Sequence, residues 1–346
     1  MPNKFSYYGS RQSFFDNVVV TTDKNLKIGI INWWWLTSNE ADISKIEKFV
    51  DSNDLCFFVS EEILDRHNNV DLNELFSVLN QKNVFYIFSA EHYSLSVPPS
   101  LNRSFYFPWF FKSPLYDEEN FRTDYEYIDK PFDFNLLLGS RKANRSLTFK
   151  ILNSDPKIYS TYFGHPFLKD LSNTEFEEAE SLNLLTNQNV NEDKLNTMVF
   201  LNKNNSNFCL SHVVPRTIYN NSHFDIVHET FVKENHHFLT EKTAKPLATG
   251  RFFCWYASPY LKVYLGKYGF SFDTYYSNYD NSIDHLYRLD ELLDLVKEIS
   301  NNQNLVKHIY KITRDEREHN KVNYKNQTST FYNNLTQWVE EVLSNA

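Results

Sequence analysis

Three short apolar runs constrain this chain most: 26–31 (LKIGII), 55–59 (LCFFV) and 84–88 (VFYIF). None shows the apolar–polar alternation of a strand with one wet face, so each reads as a strand buried on both sides. Between them, 41–51 carries Ile43, Ile46, Phe49 and Val50 at helical spacing, and 73–81 does the same with Leu75, Phe76 and Leu79. Buried strands alternating with amphipathic helices dictate a parallel α/β sheet. The pattern resumes downstream with strands at 132–138, 158–163, 224–229 and 251–256 and a helix over 145–153. The expected fold is α/β, with two Rossmann-like domains facing one another across a cleft.

At 346 residues the chain exceeds one typical core. The expected division is a first domain over 1–115, an acidic and polar linker over 116–130, a second domain over 131–325, and a terminal helix over 326–346 that crosses back to the first. Smaller elements complete the reading. An edge strand is expected at 18–22, a further strand within 98–114, a helix at 260–268 and a short strand at 270–272. Helices follow at 286–300, 305–319 and 331–343. Residues 170–207 are acidic, Asn-rich and weakly periodic, the composition of a surface insertion.

Composition excludes several classes. A formal charge of −9 gives no global attraction to nucleic acid, although a local basic groove stays open. Cys56, Cys209 and Cys254 lie far apart without metal-ligand spacing, which points to a reducing compartment, and Cys56 and Cys254, inside apolar runs, read as buried thiols. No run of 18 apolar residues and no basic–apolar–small leader occur, so a soluble, cytoplasmic protein without a membrane span is expected. Neither half carries a G-x-G-x-x-G or a P-loop, which weakens dinucleotide and NTPase readings.

The stretch 224–256 carries the chemistry. A strand ends at the polar tip Glu229, and Thr240 then stands as N-cap to TEKTAKPLATG, in which Gly250 stops the helix before RFFCWY. Glu241 suits the first helical turn. Lys242 and Lys245, three apart, project from one face toward an anion seated on the helix N-terminus. Glu241 also offers two acceptor oxygens for a pair of sugar hydroxyls. Pro246 removes a ladder bond and is expected to kink the helix. A solvated capping turn is the plain reading of the same residues. The flanking strands and the proline favour a nucleotide-sugar site.

With its aromatic strand and Ala257-Ser-Pro259 turn, TEKTAKPLATG resembles the donor-binding segment of the fucosyltransferase-like glycosyltransferases over about residues 224–275, with weaker support from 131–150. It is also similar to glycosyltransferase-like proteins of large tailed phages, for which the compartment would be the host cytoplasm. The resemblance implies the two-domain GT-B architecture, Glu241 on the donor ribose, Lys242 on phosphate, and a basic residue near Arg141 or Arg145 on the same diphosphate. The plain reading of Arg145 is that it solvates a first helical turn. Glu229 reads equally as a sugar-hydroxyl contact or a solvated strand end.

Glycosyl transfer also needs a base for the acceptor hydroxyl. Glu91 after the third strand is the choice, the resembling family using a carboxylate in a comparable loop; His92 is the alternative. Glu40, Glu61 and Glu62 end the other two strands. Trp33 and Trp34, at a strand tip, offer indole faces on which an acceptor ring stacks. No Asp-x-Asp occurs and the His-rich spots lack an ordered ligand set, so no metal and no cofactor are expected beyond the nucleotide-sugar substrate. The acceptor is a glycan or other hydroxyl compound. One alternative is a phage DNA glycosyltransferase acting on a hydroxymethylated base, disfavoured by the charge. Another is a non-catalytic carbohydrate- or partner-binding protein with the same fold.

Overall fold

The computed structural model describes residues 4–8, 25–32, 42–60, 71–89, 101–111, 123–138, 143–162, 214, 216–232, 237–273 and 278–346. The chain is a mixed α/β protein with two parallel sheets, divided into two compact units. The first comprises Met1–Ser113, His236–Leu239 and Lys325–Ala346; the second comprises Pro114–Asn235 and Thr240–Tyr324.

The first unit contains β1 (Lys4–Tyr8), β2 (Lys27–Asn32), β3 (Leu55–Ser60), β4 (Val84–Phe88) and β5 (Ser104–Tyr106), hydrogen-bonded in that order. Right-handed crossovers that always step in one direction leave their helices on one face. Accordingly α1 (Ile43–Asp51) and α2 (Leu72–Leu79) share a core with that face of the sheet. Ile46, Val50, Leu75 and Phe76 meet Cys56, Phe58 and Tyr86 there. Asp42 caps α1 by accepting from the Lys45 N–H, and Asp71 caps α2 by accepting from Asn73 and Glu74. Gly29 lets α1 approach: a Cβ there would stand 2.4 Å from Cys56 Sγ and 2.9 Å from Phe49. The opposite face needs a cover from elsewhere in the chain. Trp338 of the carboxyl-terminal helix supplies it, with ring centroids 6.1, 6.1 and 5.5 Å from Phe57, Phe85 and Phe105.

The second unit opens with β6 (Phe132–Leu138), α3 (Ala143–Leu152) and β7 (Ile158–Tyr162). It continues through α4 (Arg216–Asn221), β8 (Ser222–His228), α5 (Glu241–Thr249) and β9 (Phe253–Tyr256). The sheet order β7-β6-β8-β9 means that the chain steps outward from β6 and then returns to its other side. That reversal lies between β6 and β8, and the carboxyl ends of strands at such a reversal are the place where open α/β sheets bind ligands. Among the described strands of the first sheet there is no such reversal. Among the described residues the α-helices that follow are α6 (Leu261–Gly266), α7 (His285–Ser300), α8 (Gln303–Ile312) and α9 (Arg314–Asn345).

Three expectations change. Residues 270–272 form no strand; instead the Asn320 side-chain amide accepts from Ser271 N–H at 2.8 Å and donates to Ser271 C=O at 2.7 Å, taking the place of a neighbouring strand. The terminal helix begins at Arg314 rather than 331, and the helix expected over 305–319 is broken at Thr313. Its early stripe consists of Arg317, Asn320 and Tyr324, buried at helical spacing but mostly polar, which an apolar periodicity misses. Finally, the described part of the expected linker is tied into the second unit. Thr123 Oγ1 donates to Thr249 C=O at 2.8 Å, Arg317 donates to Asp124 and Tyr125 carbonyls, and Lys130 is buried. The strand expected at 18–22 and the insertion at 170–207 lie outside the described residues.

Candidate functional site

α5 starts and stops as its residues dictate. Thr240 is extended and its hydroxyl accepts from Lys242 N–H; Gly250 closes the helix in the left-handed region at φ 62°. A side chain on Gly250 would also press within 3.3 Å of Thr123, Tyr125 and the Arg317 carbonyl. Pro246 sits inside the helix and withholds the N–H that would serve the Lys242 carbonyl. Every residue of α5 is buried except Glu241, Lys242 and Lys245. The one part-exposed face of this helix is therefore its charged face.

The helix end is not open. Glu229, 0% exposed, turns both carboxylate oxygens onto it. Oε1 accepts from Thr240 N–H (3.0 Å), Thr243 N–H (3.3 Å) and Thr243 Oγ1 (2.7 Å). Oε2 accepts from Thr240 Oγ1 (2.8 Å) and Thr230 N–H (3.2 Å). The backbone groups expected to seat a diphosphate already hold the protein's own carboxylate. Glu229, expected as a sugar contact or a solvated strand end, is instead a buried cap that fixes α5 to β8. Thr240 is likewise committed to the cap.

Lys242 Nζ donates to Thr240 Oγ1 at 2.9 Å and to Glu241 at 3.0 Å. Burial pushes the Glu241 carboxyl up, but Lys242, Lys245, the Lys242 hydrogen bond and its own N–H together outweigh this and hold it at about 2. Glu241 is thus a carboxylate at any ordinary pH, able to accept from hydroxyls. Arg145, in the first turn of α3, is 1% exposed and donates from Nη2 to Thr230 Oγ1 at 3.4 Å. It is not the solvated first-turn residue of the plain reading. Lys242 and Lys245 thus act on the Glu241 carboxylate, and Arg145 reaches Thr230, whose N–H Glu229 holds. Trp33, Trp34, Glu91, His92 and Arg141, with Glu40, Glu61 and Glu62, lie outside the described residues. Among the described residues no group of three His, Cys, Asp or Glu is placed to hold a metal.

Sequence reasoning passed over Asn144, beside Arg145, whose side chain is 7% exposed. It also missed a buried polar cluster at the other end of the second sheet. There Asp225 accepts from Arg251 Nε and from Asn135 Nδ2, both at 2.5 Å, while Arg251 and Lys130 donate to the Tyr219 and Ser222 carbonyls. A pocket of about 380 Å³ lined by Asn83, Phe85, Asn102, Trp338 and Glu341 belongs to the first unit, beside the amino-terminal ends of β4 and β5.

His223, near that cluster, stacks on Tyr127 with centroids 5.1 Å apart. Burial, then Lys130 and Arg251, hold its imidazole at about 4 instead of 6.5. The unfolded chain therefore takes up the proton first, and stability falls as pH drops from about 6.5 toward about 4. Between pH 7 and pH 5 the loss should be about 2 kcal/mol, and His223→Phe should abolish it. Urea unfolding at the two pH values checks this; an equal loss in His223→Phe would refute it.

Comparison of the chain with protein-family models, curated proteins and solved structures found no match in any of the three. No described helix is long and apolar enough to cross a membrane.

Proposed function

We propose that the protein is a nucleotide-sugar-dependent glycosyltransferase of GT-B-like architecture that binds its donor at the carboxyl ends of β6 and β8. The observation that carries this reading is the charged face of α5: on an otherwise buried helix beside the sheet's reversal point, Glu241, Lys242 and Lys245 stay part-exposed. A helix serving only packing has no need to keep its charges part-exposed beside that reversal.

In this reading Lys242, Lys245 and Arg145, with Arg141, meet the donor diphosphate, and Glu241 accepts from ribose hydroxyls. Glu229 and Thr240 hold the helix end in place. The bond from the sugar's anomeric carbon to the diphosphate oxygen breaks with its electron pair going to the diphosphate. The cations stabilise that developing charge without a metal. The acceptor oxygen bonds to the same carbon, and its proton passes to Glu91 or His92. Trp33 and Trp34 form the acceptor platform.

A thermal-shift screen with UDP, GDP, ADP, CMP, dTDP and their common sugar conjugates, with and without Mg²⁺, tests the reading. A ligand confined to the folded state raises the melting temperature by mass action, so millimolar ligand reveals micromolar binding. One nucleotide should raise the temperature in the wild type and not in Lys242→Ala. Because Lys242 also bonds to Thr240 and Glu241, each variant is compared with its own ligand-free baseline. No shift with any nucleotide would leave a binding protein of another kind.

A further inference from the structure

We infer that Asn144 contacts the bound ligand, its side-chain amide reading a hydroxyl of the donor's ribose or of the transferred sugar. This rests on the donor-site reading proposed above and adds to it a residue that no feature of the sequence marked. Three observations converge. Asn144 lies in the first turn of α3, the helix that follows β6, the strand at which the second sheet reverses. Its neighbour Arg145 reaches Thr230, whose own N–H is held by Glu229, so this turn adjoins the capped end of α5. The side chain is 7% exposed, yet Oδ1 has no hydrogen-bond partner among the described residues.

A buried amide oxygen without a donor has lost its water without compensation, and proteins seldom retain such an atom where nothing will meet it. Of the buried atoms in that condition elsewhere, Asp133 Oδ2 sits at the start of β6 and Ser300 Oγ at the end of α7, both away from this strand end. The missing partner must donate. Diphosphate oxygens only accept, so they match Lys242, Lys245 and Arg145 and not an amide oxygen. A hydroxyl donates, and it also accepts, so it satisfies the amide in either orientation of the side chain.

The test is titration of full-length wild type, Asn144→Leu and Asn144→Asp with the nucleotide sugar found in the screen, its nucleoside diphosphate and the 2′-deoxyribose diphosphate. Leucine keeps the volume and removes the orphaned amide. Asn144→Leu should therefore melt at or above the wild-type temperature without ligand while binding the nucleotide sugar about tenfold more weakly. If a ribose hydroxyl is read, the diphosphate weakens equally, and the wild type's preference for ribose over 2′-deoxyribose disappears when that hydroxyl is the 2′ one. If the sugar is read, only the conjugate weakens. Asn144→Asp keeps the shape and places a carboxylate beside the anion, so it should also bind more weakly. Wild-type binding with both variants within twofold of it would overturn this inference alone. No binding by the wild type would overturn the donor-site reading as well.

Discussion

Asp225→Asn should destabilise the second unit by about 3–5 kcal/mol, the cost of stranding a buried cation. Asp225 and Arg251 are both nearly inaccessible and meet at 2.5 Å. Burial disfavours the Arg251 charge, yet Asp225, with the Tyr219 and Tyr310 phenols, outweighs it and holds the Arg251 pKa above its ordinary value. Lys130 stands close by and carries its own ion pair to Asp124 at 2.9 Å. Asparagine keeps the shape but removes the countercharge, so Arg251 remains in a dry site with carbonyl oxygens for company, beside a Lys130 that keeps Asp124. Replacing both partners with apolar residues, Asp225→Leu with Arg251→Met, should recover much of the loss because neither charge is then stranded. The cluster runs from the amino-terminal ends of the strands to the middle of β6 and β8, so affinity for the proposed donor at their carboxyl ends should not change. Denaturant unfolding of the wild type and the two variants decides: a loss below about 1 kcal/mol in Asp225→Asn would refute the account.

Glu229→Ala should cost about 3 kcal/mol or more, and here binding of the proposed donor should fall with stability. The carboxylate accepts five hydrogen bonds, from the backbone and hydroxyl of Thr240 and of Thr243 and from the Thr230 N–H. Each buried donor left without an acceptor costs about 1–3 kcal/mol, and the alanine leaves several while emptying the space between β8 and α5. Thr240 and Thr243 bracket Glu241 and Lys242, so a loosened helix end also displaces the charged face. A Glu229 that only touched ligand would behave otherwise: Glu229→Ala would lose binding and keep its melting temperature. Measuring both quantities on one sample separates the two roles. An unchanged melting temperature would return Glu229 to the ligand and dismiss the cap.

Much of the strand and helix layout was legible because parallel strands and their crossover helices announce themselves locally. The apolar runs at 55–59, 84–88 and 132–138 became β3, β4 and β6 almost residue for residue. Thr240 and Gly250 bounded α5 through capping chemistry that operates within one turn. The long α9 was misread because its buried stripe of Arg317, Asn320 and Tyr324 is satisfied by partners elsewhere in the chain.

The sequence by itself determined that the chain alternates buried strands with helices and that a charged helix start follows Glu229, since propensity, periodicity and capping are near-neighbour properties. Only the tertiary structure decided what Glu229 does with its oxygens. Facing away from its strand, it fills a helix end eleven residues downstream, and no local pattern distinguishes a carboxylate that waits for a ligand from one that has already found its donors. The same holds for Asn144 and for the Asp225–Arg251 pair. Whether a buried polar atom is met or left wanting depends on which distant residues the fold brings to it.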